Sequence, residues 1–379
     1  MSKNEKTTVS GSSVGADVKQ PLCNNNYSKS IADMSIQGNL QAINCPEKTG
    51  QEELQTISMS ELYDTVYPPK IPVIENLLYN GMYFFAGAPK IGKSFFVAQL
   101  GYHVSMGIPL WDYPVNQGTV LYLALEDDYG RLQKRLSNMF GLESSEHFHF
   151  ATKSKTLNGG LEEQLNKFIT EHKNARLIII DTFQKVREVS VDKYSYASDY
   201  EIVAKLKRFS DTHGICLLVV HHTRKMESTD SMEMISGSTE LLGAADGAFT
   251  LLKEKRTDNK AVLEVVGRDQ QDQKLYLNFN RASCLWELTK TETELWKQPS
   301  DPVLEAIAGV VTVESPVWNG TATELLNLLP ELDMQPNVLT RKLNISMERL
   351  LLEYSIQYES KRGHNSRTVK LELIICDDM

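Results

Sequence analysis

The 379-residue sequence predicts an α/β protein with a mainly parallel sheet and flanking helices, and three observations carry that prediction. Short apolar runs alternate with helix-like stretches in the order β-α-β-α and finish in strands. Runs such as LIII (177–180) and CLLVV (216–220) lack polar alternation, as expected of strands buried on both faces of a parallel sheet. A glycine-bearing octet, GAPKIGKS at 87–94, sits directly between an apolar strand and a helical run.

Along the chain, residues 1–58 are rich in Ser, Asn, Gln, Lys and Thr, show no sustained apolar period and read as a disordered arm. The Pro-punctuated stretch YPPKIPVIENLLYNG then leads into the first strong strand at 82–86. From there MYFFAG, VLYLALE, RLIIIDTF, ICLLVVHH, GAFTLL, AVLEVVG and LYLNF read as strands. SFFVAQLGYHVSMG, YGRLQKRLSNMFG, LEEQLNKFITEHK and YEIVAKLKRFSDTHG read as helices. We place an α/β core at 59–290 and a charged, Pro-containing linker at 291–302. A small C-terminal module follows at 303–379, of several helices and two strands, YESKR and TVKLELI.

Composition narrows the class. Hydrophobic residues at 41% and charged residues at 23% are ordinary for soluble globular domains. No run approaches the about 20 apolar residues of a membrane span, and the first residues lack a signal-peptide core, so a cytoplasmic protein is expected. Five scattered cysteines (Cys23, Cys45, Cys216, Cys284, Cys376) with no CxxC pair predict neither a disulfide framework nor a zinc site. The net charge of -9 leaves the partner open, because nucleic-acid binding needs only a local positive face.

The octet Gly87, Ala88, Pro89, Lys90, Ile91, Gly92, Lys93, Ser94 matches G-x-x-x-x-G-K-[ST] in full. Its glycines let backbone N–H groups face a polyphosphate, and the positive end of the following helix adds to the cradle. Lys93 is placed to reach the β and γ phosphates of ATP. The Ser94 hydroxyl suits Mg²⁺, a hard cation that takes oxygen ligands. Phe95, next in the chain, and Arg135 complete the candidate nucleotide-binding set.

Acidic and polar residues at strand ends supply the rest. Asp181 ends LIII and is the second candidate for holding Mg²⁺; the alternative is a capping Asp. Glu126 ends VLYLALE and is the candidate base for an attacking water, while Asp127 and Asp128 suit the start of the next helix. His222, rather than His221, is the candidate γ-phosphate sensor. Arg268, in VVGRDQQ, carries the forked donors of a finger reaching a neighbouring subunit; the alternative is a surface pair with Asp269.

Together these motifs resemble the RecA superfamily, and within it the RepA-type plasmid replication helicases and their relatives in mobile elements. The resemblance spans roughly residues 65–290 and rests on GAPKIGKS, LYLALEDD with Arg135 nine positions after Glu126, IIIDTFQKVRE, VVHHTRK and SGSTELLGAADGAFTLL. It implies Glu126 as catalytic base, Asp181 and His222 at their strand ends, and Arg268 completing a neighbour's site. It also implies a homo-oligomeric ring, commonly a hexamer, whose central loops grip single-stranded DNA. Those loops would be 187–200 and 224–237, and the second is not strongly basic, since Glu227, Asp230 and Glu233 follow Arg224 and Lys225.

The C-terminal module resembles a winged helix, with Arg341, Lys342, Arg349, Lys361, Arg362, Arg367 and Lys370 as its basic footprint. A winged helix serves equally as a protein-docking module. The expected function is an ATP-dependent DNA helicase or translocase in replication of a plasmid or other mobile element, working with a replication initiator or primase. The alternatives are an ATP-switched DNA-binding regulator without unwinding activity and a recombinase-like filament ATPase.

Overall fold

The computed structural model describes residues 54, 56–67, 70–187, 196–222, 243–255, 257–292, 299–362 and 367–374. The expected arm up to residue 53, the loop 224–237 and most of the loop 187–200 lie outside the described residues. By contact the chain divides into two compact units, one formed mainly by residues 67–302, the other by 63–66 with 303–379.

The larger unit opens with strands β1 (Pro72–Ile74) and β2 (Leu78–Tyr79), paired antiparallel. It then builds a nine-stranded sheet from β3 (Gly81–Gly87), β4 (Thr119–Ala124), β5 (Phe148–Ala151), β6 (Ala175–Asp181), β7 (Cys216–His222), β8 (Gly247–Leu252), β9 (Lys260–Gly267), β10 (Gln273–Asn280) and β11 (Leu285–Thr291). Their spatial order is β11-β10-β9-β8-β3-β7-β6-β4-β5. The six strands from β8 to β5 run parallel, and β9 to β11 continue the sheet antiparallel. The predicted mixed α/β architecture with a large, mainly parallel sheet is therefore present.

Period-2 geometry explains the unbroken apolar runs. Tyr83 and Phe85 of β3, Leu177 and Ile179 of β6, and Leu218 and Val220 of β7 point to one face, with Phe96, Val97 and Leu100. Their alternates Met82, Phe84, Ile178, Ile180, Leu217 and Val219 point to the other, with Val203, Leu206 and Phe209. Both faces are covered, so neither set can be polar. Helices α1 (Lys93–Met106) and α2 (Tyr129–Phe140) supply the first layer; α3 (Glu162–Glu171), α4 (Phe183–Val186) and α5 (Tyr196–His213) supply the second. The buried apolar residues of β9 to β11, among them Leu263, Val265, Leu275, Leu277 and Trp286, belong to the α1 side alone; β9 and β10 alternate buried with half-exposed positions, and β11 is largely exposed apart from Trp286.

At the N-terminal end of β3 the backbone is fastened by Asp246. This carboxylate is 4% exposed, accepts from the Met82 N–H at 2.9 Å, and takes two hydrogen bonds from Lys207 Nζ at 2.7 and 2.9 Å.

The smaller unit runs α6 (Pro302–Ala308), β12 (Val317–Thr321), α7 (Ala322–Leu328), α8 (Pro336–Ile345), α9 (Met347–Tyr354), β13 (Ile356–Arg362) and β14 (Arg367–Leu373). Its three strands pair antiparallel in the order β12-β14-β13 over a core of Leu304, Leu325, Leu339, Leu343, Leu350, Tyr358 and Leu371. Helix α7 starts with a full capping box, Thr321 and Glu324 each bonding the other's backbone N–H.

Candidate functional site: a phosphate cradle at the strand ends

The octet forms a turn between β3 and α1. Gly87 at φ +157 and Gly92 at φ +103 adopt backbone conformations that glycine tolerates best, and added Cβ atoms would lie 2.8 Å from Leu251 O and 2.9 Å from the Trp286 ring. Gly92 is also the N-cap residue of α1 and brings no capping side chain, so the first amides of the helix are left to a ligand. Ala88, Pro89 and Lys90 are exposed at the crest, with Lys90 at φ +64, while Ile91 is buried beneath.

Lys93 is 4% exposed. Its ammonium donates to Gly87 O at 2.7 Å and Ala88 O at 2.9 Å, and lies 3.0 Å from His222 Nδ1. Burial pulls its pKa down to about 8, against the opposing pull of the Asp181 and Glu126 carboxylates. His222 is held neutral-leaning by burial and by the Lys93 charge, so Nδ1 accepts and the opposite nitrogen faces Glu126, whose Oε2 is 3.8 Å away.

Parallel register brings the strand ends together. His222 pairs with Gly87 and Asp181 with Ala124, so the ends of β7 and β6 share one sheet edge with the P-loop. Ser94 Oγ donates to Asp181 Oδ2 at 2.9 Å, and the buried Tyr122 hydroxyl donates to the same oxygen at 2.8 Å. Burial raises the Asp181 pKa, and these two hydrogen bonds work the other way. Glu126 follows β4; its Oε1 accepts from Thr182 Oγ1 at 3.2 Å while the side chain remains 46% exposed. A hydroxyl and a carboxylate oxygen side by side, beside an ammonium, fit the hard-oxygen donor set of Mg²⁺ with a polyphosphate.

Beside this edge, Arg135 Nη1 pairs with Asp127 at 2.6 Å and its guanidinium lies 5.4 Å from the centre of the Phe95 ring. Asp128 caps α2 by accepting from Arg131 N at 2.9 Å. Phe95 in turn meets Phe279 edge-to-face at 5.4 Å.

Lys93, Ser94, Asp181, Glu126 and His222 thus come together, and Arg135 and Phe95 meet alongside. Arg268 does not join them in its own chain. Gly267 pairs with Gly247, which pairs with Tyr83, so Arg268 stands toward the opposite end of β3, where its Nη2 donates to Gly243 O at 2.5 Å. His221 is 6% exposed and packs against Phe84 and Phe183, away from the cradle.

Sequence reasoning missed four residues of this edge: Tyr122, Thr182, Trp286 and Lys253. Tyr122 carried a usable signal, since a buried tyrosine hydroxyl needs a partner. Thr182, next to Asp181, hydrogen-bonds Glu126. Trp286 Nε1 donates to Gly92 O at 3.2 Å, and Lys253, after β8, lies 4.8 Å over the Trp286 ring.

In the C-terminal unit, Arg341, Arg349, Lys361 and Lys370 hold carboxylates of their own chain. Arg341 pairs with Asp64 at 2.8 Å, Arg349 with Glu353 at 2.8 Å, Lys361 with Glu359 at 3.2 Å, and Lys370 with Glu372. Among the described residues no helix is long and apolar enough to cross a membrane, and no cluster of metal-ligating side chains stands out.

Residues 49–228, just under half of the chain, match the family model described as an AAA domain. The match spans the P-loop and the strand ends bearing Glu126, Asp181 and His222, and stops before β8. Among solved structures, the chain is similar to an ATPase domain (14% identity, 56% of this chain and 85% of that one, TM-score 0.47). It is also similar to a DnaB-like replicative helicase studied with primase (14% identity, 55% and 58%, TM-score 0.47). A KaiC-like protein from the archaeon Pyrococcus horikoshii OT3 is similar as well (14% identity, 60% and 100%, TM-score 0.43). No curated protein matches the sequence significantly. Sequence motif, site geometry and family match agree on a P-loop ATPase domain.

Proposed function

We propose that this protein is a Mg-ATP-dependent DNA helicase or translocase of the RecA type, acting in replication of a plasmid or other mobile element. The observation that carries the reading is the convergence of Lys93, Ser94, Asp181, Glu126 and His222 on one sheet edge. Lys93 and the amides at the start of α1 bind the phosphates. Ser94 and Asp181 hold Mg²⁺, which when bound neutralises phosphate charge. Glu126, oriented by Thr182 and open to solvent on its other side, takes a proton from the attacking water. His222 lies between the Lys93 ammonium and Glu126, and so links phosphate occupancy to the base.

A ring of like subunits, hexameric in the resembled family, gives single-stranded DNA a central path. In such an assembly Arg268 would serve a neighbour's site, since it stands away from the cradle of its own chain. Primase or a replication initiator is the expected protein partner.

A second reading concerns the C-terminal unit. Its order of helix, strand, three helices and two strands supports a winged helix, but the internal pairing of Arg341, Arg349, Lys361 and Lys370 favours protein docking over duplex reading.

The test is ATP hydrolysis by purified protein with and without single-stranded DNA at fixed salt, with Lys93→Ala as control. Strong stimulation by single strands that vanishes in the variant supports a motor. Hydrolysis indifferent to DNA overturns the motor reading in favour of an ATP-switched regulator, and absence of Lys93-dependent hydrolysis overturns the ATPase reading.

A further inference from the structure

We propose that Trp286 is a positioning residue for the P-loop, holding the Gly92 carbonyl and with it the amide cradle for the phosphates; this rests on the nucleotide-binding reading above. Gly92 O already accepts from Phe96 N at 3.1 Å within the helix, and the Trp286 indole N–H fills its second lone pair at 3.2 Å. The same indole closes the space beside Gly92, where a Cβ would come within 2.9 Å of Cζ2. The residue that turns β3 into α1 is therefore fixed by a hydrogen bond and by contact from a single side chain.

Trp286 is itself immobilised. It is 1% exposed, and Gln99 of α1 bonds its backbone on both sides, Nε2 to Trp286 O at 3.0 Å and Oε1 from Trp286 N at 2.8 Å. Trp111 Nε1 adds a third bond to Trp286 O at 2.8 Å. Phe279, at 5.0 Å, packs against one side of the indole, and the Lys253 ammonium sits over its face. The Gln99 and Trp111 bonds pair backbone groups of Trp286 that burial at the sheet edge would otherwise leave unsatisfied, and in doing so they fix where the indole N–H points. The arrangement also means that β11, beyond the region matched by the AAA domain model, contributes to the site.

The experiment compares wild type, Trp286→Phe, Gln99→Leu and Lys93→Ala, as the full chain, for Mg-ATP affinity, steady-state hydrolysis and thermal unfolding. Loss of one neutral hydrogen bond to the cradle predicts that Trp286→Phe weakens the Kd and raises KM by roughly three- to tenfold, with kcat within about twofold. Gln99→Leu, which leaves the indole in place but frees its backbone, shifts KM in the same direction by less. Wild-type tryptophan emission changes on adding Mg-ATP; Trp286→Phe abolishes the change and Trp318→Phe, in the smaller unit, keeps it. Wild-type affinity in both Trp286→Phe and Gln99→Leu, with only the unfolding temperature lowered, overturns the proposal and leaves Trp286 a packing residue. Should Trp286→Phe fail to fold, an unchanged KM in Gln99→Leu with no emission change in wild type overturns it equally. Failure of wild type to bind Mg-ATP, or equal binding by Lys93→Ala, sinks the nucleotide reading instead.

Discussion

Nucleotide affinity should fall as pH rises through about 8, and the titrating group is Lys93. The ammonium is 4% exposed and its pKa is drawn down to about 8 by burial, against the attraction of Asp181 and Glu126. Bound polyphosphate favours the charged form, so the bound-state pKa lies above the free-state one. Affinity is therefore full below the free pKa and is lost as pH climbs from it toward the bound value. If only the ammonium binds, the apparent Kd weakens by one plus ten to the power of (pH minus 8), which is about twofold at pH 8 and about tenfold at pH 9. Calorimetric titration between pH 7.5 and 9.5 at constant ionic strength measures this. It should also show uptake of about half a proton per nucleotide at pH 8, seen as a dependence of the enthalpy on buffer. Lys93→Arg, whose guanidinium stays charged throughout, should bind more weakly but without the pH slope. A flat affinity for wild type up to pH 9.5 with no proton uptake would mean that the carboxylates outweigh burial, and the reasoning fails.

Three further outcomes follow from the same structure. Glu126→Gln should leave Mg-ATP binding within about twofold of wild type while kcat drops by roughly a hundredfold or more, since the amide keeps the Thr182 contact but takes no proton; unchanged turnover would assign the base elsewhere. Lys207→Met leaves the buried Asp246 carboxylate without its cation and should cost about 3–5 kcal/mol in denaturant unfolding, with Lys207→Met, Asp246→Asn together recovering part of it. Thr321→Ala removes the capping box of α7 and should cost about 1 kcal/mol of stability in the smaller unit, with no effect on ATP hydrolysis.

The central strands were legible because both of their faces are buried, which leaves no polar residue to interrupt the run. Edge elements were not. β5 is half-buried throughout and only four residues long, and β12, VWNGT, carries a glycine and an asparagine within five residues. β11 was not read as a strand, and its last residue, Thr291, fell in the linker, because the strand lies at the sheet edge and is largely exposed beyond Trp286. The cradle was legible because its chemistry sits in contiguous residues at a strand-to-helix turn, and the positions of Asp181 and His222 because strand ends carry them. Which end of the sheet Arg268 occupies depends on antiparallel register two strands away from β3, which local pattern does not encode. Trp286 was invisible as a site residue for the same reason: 194 positions separate it from Gly92.

The placement of β3 at the middle of the sheet has a kinetic corollary. Its two neighbours are β7 and β8, so the strand that launches the P-loop finds its partners only after residues 216–222 and 247–252 have been made. Gly92 waits longer still, for Trp286. Contacts of such sequence separation form slowly, because a long loop must close before any of them stabilises the chain. During synthesis, a nascent chain ending at residue 228 would contain every residue of the octet and every acid at the strand ends, yet lack β8 and the indole that complete the cradle. Nucleotide should therefore be a ligand of the nearly finished polypeptide, not a template around which its first half folds.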